Sequence, residues 1–397
     1  MNQPLSGLTV LEPAGVLAGP LVGMFLAEHG ARVIKIEPTG RGDVTRTWKL
    51  PGEPEATGIS SYYCCANWGK ESVALNLKTS AGRQIFYELT SRSDIVITSY
   101  KSGDAAKLGV TYDELRSFNS RLIYGSISGF GSGDTRPAFD AVVQAESGFM
   151  HMNGTPESGP LKMPVALMDV LAAHHLKEKI LLALLTKQQT GKGSCVSVSL
   201  MEAALASLAN QGSAWLVAGN DPAPMGSEHP HIYPYGSAFE TADGMIILLA
   251  VGNDYQFQKM TELLGQPQLG THPEYATNPE RSSNRERLRP ILASLFQKHI
   301  DGKKLLESIK SAGIPCGAIL PVSEAIRQHG ERNLFSGDVT GIGTIKGIPT
   351  SNPEACDKLC SPQELGASTD SVLSELAGKN ESQLQQLKTD GVIQSVE

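Results

Sequence analysis

Short apolar runs rich in β-branched residues alternate with helix-period segments through the first half of the chain. LTVLE (8–12) predicts a strand, GPLVGMFLAEHG (19–30) a helix ending at Gly30, and ARVIKIE (31–37) a second strand. SVALNL (72–77), DIVITS (94–99) and RLIYGSIS (121–128) predict further strands, with a helix opened by Thr79 between the first two. Strands alternating with helices predict parallel βαβ units in a doubly wound α/β sheet, covered on both faces. Ligands of such sheets sit outside the carboxyl ends of the strands. The loops after residues 12, 37, 77, 99 and 128 are therefore where a site is expected.

From about residue 220 the texture changes. NDPAPMGSEHPHIYPYGS, rich in proline, glycine and histidine, reads as a connection. AFETADGMIILLAVG predicts a hairpin turning at Asp243–Gly244, and helical patterns cover roughly 254–265 and 284–311. The tail carries the strand-like FSGDVTGIGTIKG and a last helix in ESQLQQLKTDGVI. The expected organisation is a large domain over 1–200, completed by 330–397, a linker at 201–224, and a small α+β domain over 225–328.

Composition changes this picture little. A chain of 397 residues, 40% hydrophobic and 19% charged, is long enough for two cores. The net charge of −7, without long runs of one sign, argues against nucleic-acid or anionic-membrane partners. There is no apolar stretch of spanning length and no secretory pattern at the N-terminus, so a cytoplasmic protein is expected. Six cysteines spread over the chain predict reduced thiols. Cys356 and Cys360 form a C-x3-C pair that nothing nearby completes into a zinc set, so no metal is expected.

Candidate chemistry is sparse. GFGSGD (129–134) lacks the lysine of a P-loop, and EPAGVLAGP (12–20) lacks the dinucleotide glycine spacing, though free amides opening the 19–30 helix suit a pyrophosphate. Lys35, Arg41, Arg46, Lys78, Lys101 and Lys107 fall near predicted strand ends, as solvated charges or as a phosphate-binding group. No Ser-His-Asp set or nucleophile elbow can be assembled. Asp169 stands where an apolar segment enters a long helix. It reads equally as a helix-terminal carboxylate and as a reactive one among Leu167, Met168, Val170 and Leu171.

Longer stretches carry a resemblance. LSGLTVLEPAGVLAGPLVGMFLAEHGARVIKIEPTGRGDVTR, NWGKESVALNLKT, YGSISGFG, FDAVVQAESG, TGKGSCVSVSLMEAAL, HPHIYPYGSAFETADG and LGASTDSVLSEL, in this order, resemble the class III CoA-transferases, the formyl-CoA and carnitine CoA-transferase family. The resemblance implies a Rossmann-like large domain, a smaller domain, and an interlocked homodimer. It implies no permanently bound cofactor, with coenzyme A entering as part of an acyl-CoA substrate and a small carboxylic acid as its partner.

By the same resemblance Asp169 matches the family's nucleophile, which passes through an aspartyl anhydride and an aspartyl-CoA thioester. Val16, Ala18, Arg41, Leu75, Lys78, Ser99 and Lys107 match CoA contacts in part. Ser99 replaces a frequent asparagine, Leu17 replaces the glutamine of formyl-CoA enzymes, and VGNDY stands where those enzymes carry a glycine-rich flap. Formyl-CoA is therefore not the expected donor. Arg46 and Trp48 in TRTW are candidates to bind and wall off a second carboxylate, which points to a short dicarboxylic acid with succinyl-CoA as donor. An ion pair of Arg46 with a neighbour such as Asp43 is the alternative. The α-methylacyl-CoA racemases are the rival on the same fold. They need a second proton-transfer group, a histidine, where this chain has Phe139 before Asp140.

Overall fold

The computed structural model describes residues 3–55, 57–101, 103–131, 133–352 and 359–396. Its larger unit is built on a seven-stranded sheet. The strands are β1 (Thr9–Glu12), β2 (Arg32–Glu37), β3 (Lys70–Leu75), β4 (Ile95–Thr98), β5 (Ile123–Ser128), β6 (Ser194–Ser199) and β7 (Ile393–Gln394). They lie in the order β7-β3-β2-β1-β4-β5-β6, parallel throughout except for the C-terminal edge strand β7.

The β-branched runs explain why both faces are covered. Successive side chains point to opposite faces. Val10, Val33, Ile95, Ile97 and Ile123 join one core, with α1 (Ala18–Glu28), α4 (Leu167–Thr190) and α5 (Leu200–Ala206). Their neighbours Leu11, Ile34, Val96, Leu122 and Tyr124 join the other, with α2 (Ser80–Thr90) and the C-terminal helices Thr369–Leu376 and Glu381–Thr389. Thr79 opens α2 as expected, its hydroxyl accepting the Gly82 N–H at 2.9 Å. The tail pattern FSGDVTGIGTIKG forms an antiparallel hairpin, Phe335–Val339 with Gly343–Gly347.

The chain divides into two compact units. One comprises Met1–Phe149, Lys162–Asp221 and Gly330–Glu397; the other comprises Met150–Leu161 and Pro222–His329. Two boundaries differ from expectation. The stretch 201–224 is not a linker through residue 221, because α5 buries Leu200, Ala203 and Ala204 in the sheet core and a further helix, Ala209–Ala218, follows. Residues 150–161, a short hairpin-like excursion, join the smaller unit. That unit holds an antiparallel sheet of Tyr235–Glu240, Ile246–Ala250 and Cys316–Ala318. Phe239, Ile247, Phe257, Leu292 and Phe296 fill its core, and Gly244 takes the positive φ of 84° that the Asp243–Gly244 turn requires.

A buried ionic network joins the carboxyl end of β1, β2 and the loop after it to Lys70, the first residue of β3. Lys70 and Lys35 reach Glu12 at 2.8 and 3.4 Å, and Lys35 also reaches Asp43 at 2.9 Å. Burial raises the Glu12 carboxyl against the pull of both lysines, and burial lowers the Lys70 ammonium to about 8. A Cβ on Gly23 would stand 1.6 Å from Glu12 Oε2, so α1 can cross this network only with glycine there.

Two expectations are corrected by this network. Arg46, 3% exposed, forks onto Glu37 at 2.7 Å through both Nε and Nη2, donates to Tyr63 Oη at 2.6 Å, and lies 3.9 Å over that ring. Its remaining donors go to the Gly58 and Gln363 carbonyls. It is thus a structural cation, paired with Glu37 and not Asp43, with nothing left for a substrate. Lys35 is likewise spent on Glu12, Asp43 and the Ala14 carbonyl.

Among the described residues no helix is long and apolar enough to cross a membrane. Cys360 is a free thiol, and Cys356 lies outside the described residues.

Candidate active site

The strand order reverses between β1 and β4, and the loops leaving the carboxyl ends of these strands diverge there. A cavity of about 230 Å3 opens at this point. Its walls are Gly15–Ala18 after β1, Ser99–Lys101 after β4, and Ile127–Gly129 with Asp134, Arg136, Ala138 and Phe139 after β5. Asp169 and Leu200 complete it.

Asp169 is the third residue of α4, whose entry is built unusually. Ala166 stands at the N-cap and has no side chain able to cap. The cap comes from another helix. Asp140, first residue of α3 (Asp140–Glu146), accepts the Met168 N–H on Oδ1 at 2.8 Å. Gln144, one turn along α3, donates to Asp140 Oδ2 at 2.7 Å and accepts the Met163 N–H at 2.8 Å, tying down the approach to α4. Met168, Ala172 and Ala173 point into the core. Asp169, on the other side of the turn, faces the cavity.

The question left open by the sequence is thereby answered: capping belongs to Asp140. Among the described residues no donor is hydrogen-bonded to the Asp169 carboxylate. Burial first, and the Asp140 carboxylate second, push Asp169 up to about 7. The positive end of the α4 dipole opposes this shift without cancelling it.

The loop after β1 presents donors across from this carboxylate. Leu17 occupies the N-cap of α1 with no side-chain bond, and Pro20 removes one N–H of the first turn. The amides of Leu17, Ala18 and Gly19 have no acceptor among the described residues. The loop behind them is held by Gly15 N–H to Ser99 Oγ at 3.0 Å and by Val16 N–H to the Asp43 carboxylate at 3.2 Å.

Val16, Ala18, Ser99, Phe139 and Asp169 therefore meet in one cavity, drawn from four separate segments. The other sequence candidates do not line it. Leu75 is buried in the core on the opposite face of the sheet, so its side chain is not free to touch a ligand. Arg41 and Lys78 are exposed beyond the cavity, and Lys107 is paired with Asp104 at 2.8 Å. Trp48 packs edge-on against Tyr62 at 5.0 Å.

Two groups, Tyr62 and Arg136, went unnoticed in the sequence, and a third, Lys101, was singled out only as one of six candidate phosphate-binding bases. Tyr62 has its phenol pushed up to about 12 by burial and then by the charge of Asp169, so it is neutral. Arg136 lines the cavity but is held by Asp134 and Glu146 at 3.1 Å and lies 3.8 Å over Phe130. Lys101 lines the cavity, and its ammonium makes no hydrogen bond or ion pair among the described residues, though its charge helps lower the Asp104 carboxyl. Its position after a strand was the only signal, and five other bases shared that signal.

Comparisons with known proteins place the whole chain in one family. Residues 5–342 match CoA-transferase family III. A succinate–glutarate CoA-transferase of Agrobacterium fabrum is 38% identical over 331 residues, covering 81% of this chain and 82% of that protein. An acetyl-CoA:oxalate CoA-transferase of Acetobacter aceti is 36% identical over 338 residues, covering 84% and 85%. The crystal structure of a CAIB/BAIF family protein from Brucella suis superposes with a TM-score of 0.82 at 33% identity, covering 95% of this chain and all of that one.

Proposed function

This chain belongs to CoA-transferase family III and is an acyl-CoA:carboxylate CoA-transferase; from that premise we propose that Asp169 is its nucleophile and that it exchanges CoA between short dicarboxylic acids, with succinyl-CoA as a donor. The observation that carries this reading is the Asp169 carboxylate itself. Among the described residues it has no hydrogen-bond donor, and it shares a cavity with Leu17 and Ala18, whose amides are uncapped.

The chemistry needs no external base. Asp169 attacks the thioester carbonyl, forming a C–O bond, and the tetrahedral adduct breaks its C–S bond to leave a mixed anhydride and CoA thiolate. The thiolate attacks the aspartyl carbonyl, breaking the anhydride and freeing the donor acid. The acceptor carboxylate attacks the aspartyl-CoA thioester in turn, giving a second anhydride and thiolate again. Attack of that thiolate on the acceptor's acyl carbon yields the new acyl-CoA and restores Asp169. Every nucleophile and leaving group is a carboxylate or thiolate, so no proton is gained or lost. The Leu17, Ala18 and Gly19 amides are suited to hold the oxyanion of each tetrahedral intermediate.

Val16, Ala18 and Ser99 are assigned to the acyl-CoA thioester end, and Phe139 to the acyl wall. Arg41, Lys78 and Lys107, exposed outside the cavity, are assigned to the CoA phosphates. With Arg46 buried, the unpaired Lys101 takes over the distal carboxylate of the acid. The relatives named for succinate, glutarate and oxalate support a dicarboxylate. Incubation with succinyl-CoA and a panel of acids tests this: glutarate and oxalate are expected to receive CoA faster than propionate or butyrate. Turnover of the monocarboxylates alone would remove the dicarboxylate reading.

A homodimer, interlocked and on a Rossmann-like large domain, completes the proposal. The helix Ala209–Ala218 buries none of its residues and leaves Leu216 and Val217 82% and 86% exposed, with Trp215 beside them and Leu182 and Leu185 exposed on α4. Large apolar side chains left this exposed are unfavourable in water and favour a second copy. Light scattering is expected to return twice the 42.3 kDa chain mass; a monomer at micromolar concentration would exclude it.

A further inference from the structure

We propose that Asp43 is a positioning residue for CoA transfer, holding Val16 in a left-handed backbone conformation and so aiming the first amides of α1 into the cavity. The proposal rests on the role given above to those amides.

Val16 has φ 68°, a region that a β-branched residue enters only under constraint. The constraint is visible atom by atom. The Val16 N–H is shared between Asp43 Oδ1 at 3.3 Å and Oδ2 at 3.2 Å. Lys35 Nζ stands 2.9 Å from Asp43 Oδ2 and also donates to the Ala14 carbonyl at 2.9 Å. One buried ammonium thus grips the chain two residues before Val16 and the carboxylate that binds Val16 itself.

Asp43 cannot swing away from this task. Its Oδ1 accepts the Thr45 N–H at 3.0 Å and the Thr45 hydroxyl at 2.8 Å, and its own N–H goes to Glu37 at 2.9 Å. The Asp43 and Lys35 side chains are each 1% exposed, so neither meets a ligand directly. What they determine is the peptide direction entering Leu17 and Ala18, which line the cavity one and two residues later. Oxyanion donors act only when they are already oriented.

The structure also supplies a rescue. Glycine takes φ near 68° without steric cost, so Val16→Gly removes the need for the clamp while keeping every backbone donor. Asp43→Ala is expected to lower kcat about tenfold or more with the acyl-CoA KM within about threefold, since an oriented donor matters most in the transition state. The double variant Val16→Gly/Asp43→Ala is expected to regain at least about threefold in kcat over Asp43→Ala. A purely structural role for Asp43 predicts no such recovery.

Wild-type kcat in folded Asp43→Ala, or a double variant no faster than the single one, overturns the proposal. Should Asp43→Ala not fold, because Lys35 loses its partner, the isosteric Asp43→Asn carries the test. It keeps one oxygen for Val16 and is expected to lose about three- to tenfold in kcat, and wild-type kcat there overturns the proposal equally. Full transfer by Asp169→Ala would remove the nucleophile reading alone. The comparison of Asp43 and Val16 variants would still stand on its own.

Discussion

Asp169→Ala is expected to lower the rate of CoA transfer by about 10^4-fold or more, with the folded state intact. The size follows from what is lost. Without the carboxylate no anhydride forms, and among the described residues no other nucleophilic carboxylate is free at the site: Asp140 is spent on the Met168 amide and Gln144, and Asp134 on Arg136. The fold should survive because Asp169 holds nothing in place; the cap of α4 comes from Asp140. Hydroxylamine added to wild-type protein with acyl-CoA should convert Asp169 to a hydroxamate, read by peptide mass, and the alanine variant should take up none. Transfer at the wild-type rate by that variant would end the assignment.

The second large effect is on pH. With Asp169 at about 7, kcat/KM is expected to fall tenfold per unit below that pH, about 100-fold between the plateau and pH 5. Asp140→Asn keeps an oxygen for the Met168 N–H but removes a negative charge that raises Asp169, so it should move this acid limb to lower pH. The same shift has a sign in stability. The folded-state value lies above the ordinary 3.8, so the native protein holds this proton more tightly than the unfolded chain. The associated stability is complete below about pH 4 and is lost as pH rises through about 7. Asp169→Asn should therefore be more stable than wild type at pH 8, with no such advantage at pH 4. The gap between 3.8 and about 7 sets a ceiling of about 4 kcal/mol, reduced by solvent at this half-buried group. Thermal melts at the two pH values read it directly. Equal melting temperatures at pH 8, or a kcat/KM flat down to pH 5, would show that Asp169 is an ordinary carboxylate.

A nucleophile that is costly to ionise fits the reaction. A carboxylate stabilised by three amide donors would be a poor nucleophile and too good a leaving group. Keeping the Asp169 oxygens free of donors leaves the amides of α1 for the oxyanion, where they differentiate transition state from ground state.

The legible part of the molecule was the part governed by local pattern. Alternating Val10–Leu11 and Val33–Ile34 have to face opposite sides of a strand, so a sheet covered on both faces follows from the order of residues alone. Asp243–Gly244 has to turn, and Thr79 has to open a helix. The resemblance carried by longer stretches added the family and Asp169. Even the site's location outside β1, β4 and β5 followed from topology.

The illegible part was the fate of the charges. Lys35, Arg46 and Lys101 are alike in sequence, three bases at or after strand ends, yet two are buried in ion pairs and one faces the cavity. The difference is set by partners far away along the chain. Arg46 is satisfied by Glu37, Tyr63, Gly58 and Gln363, the last more than three hundred residues distant. Asp169 became a free carboxylate only because Asp140, from a different helix, took over its capping bond. Periodicity and turn chemistry act between neighbours, so the sequence by itself determined the sheet, its helices and the identity of the candidate nucleophile. Desolvation and pairing act between groups brought together across the fold, so only the tertiary structure decided which charges hold the protein together and which are left for chemistry.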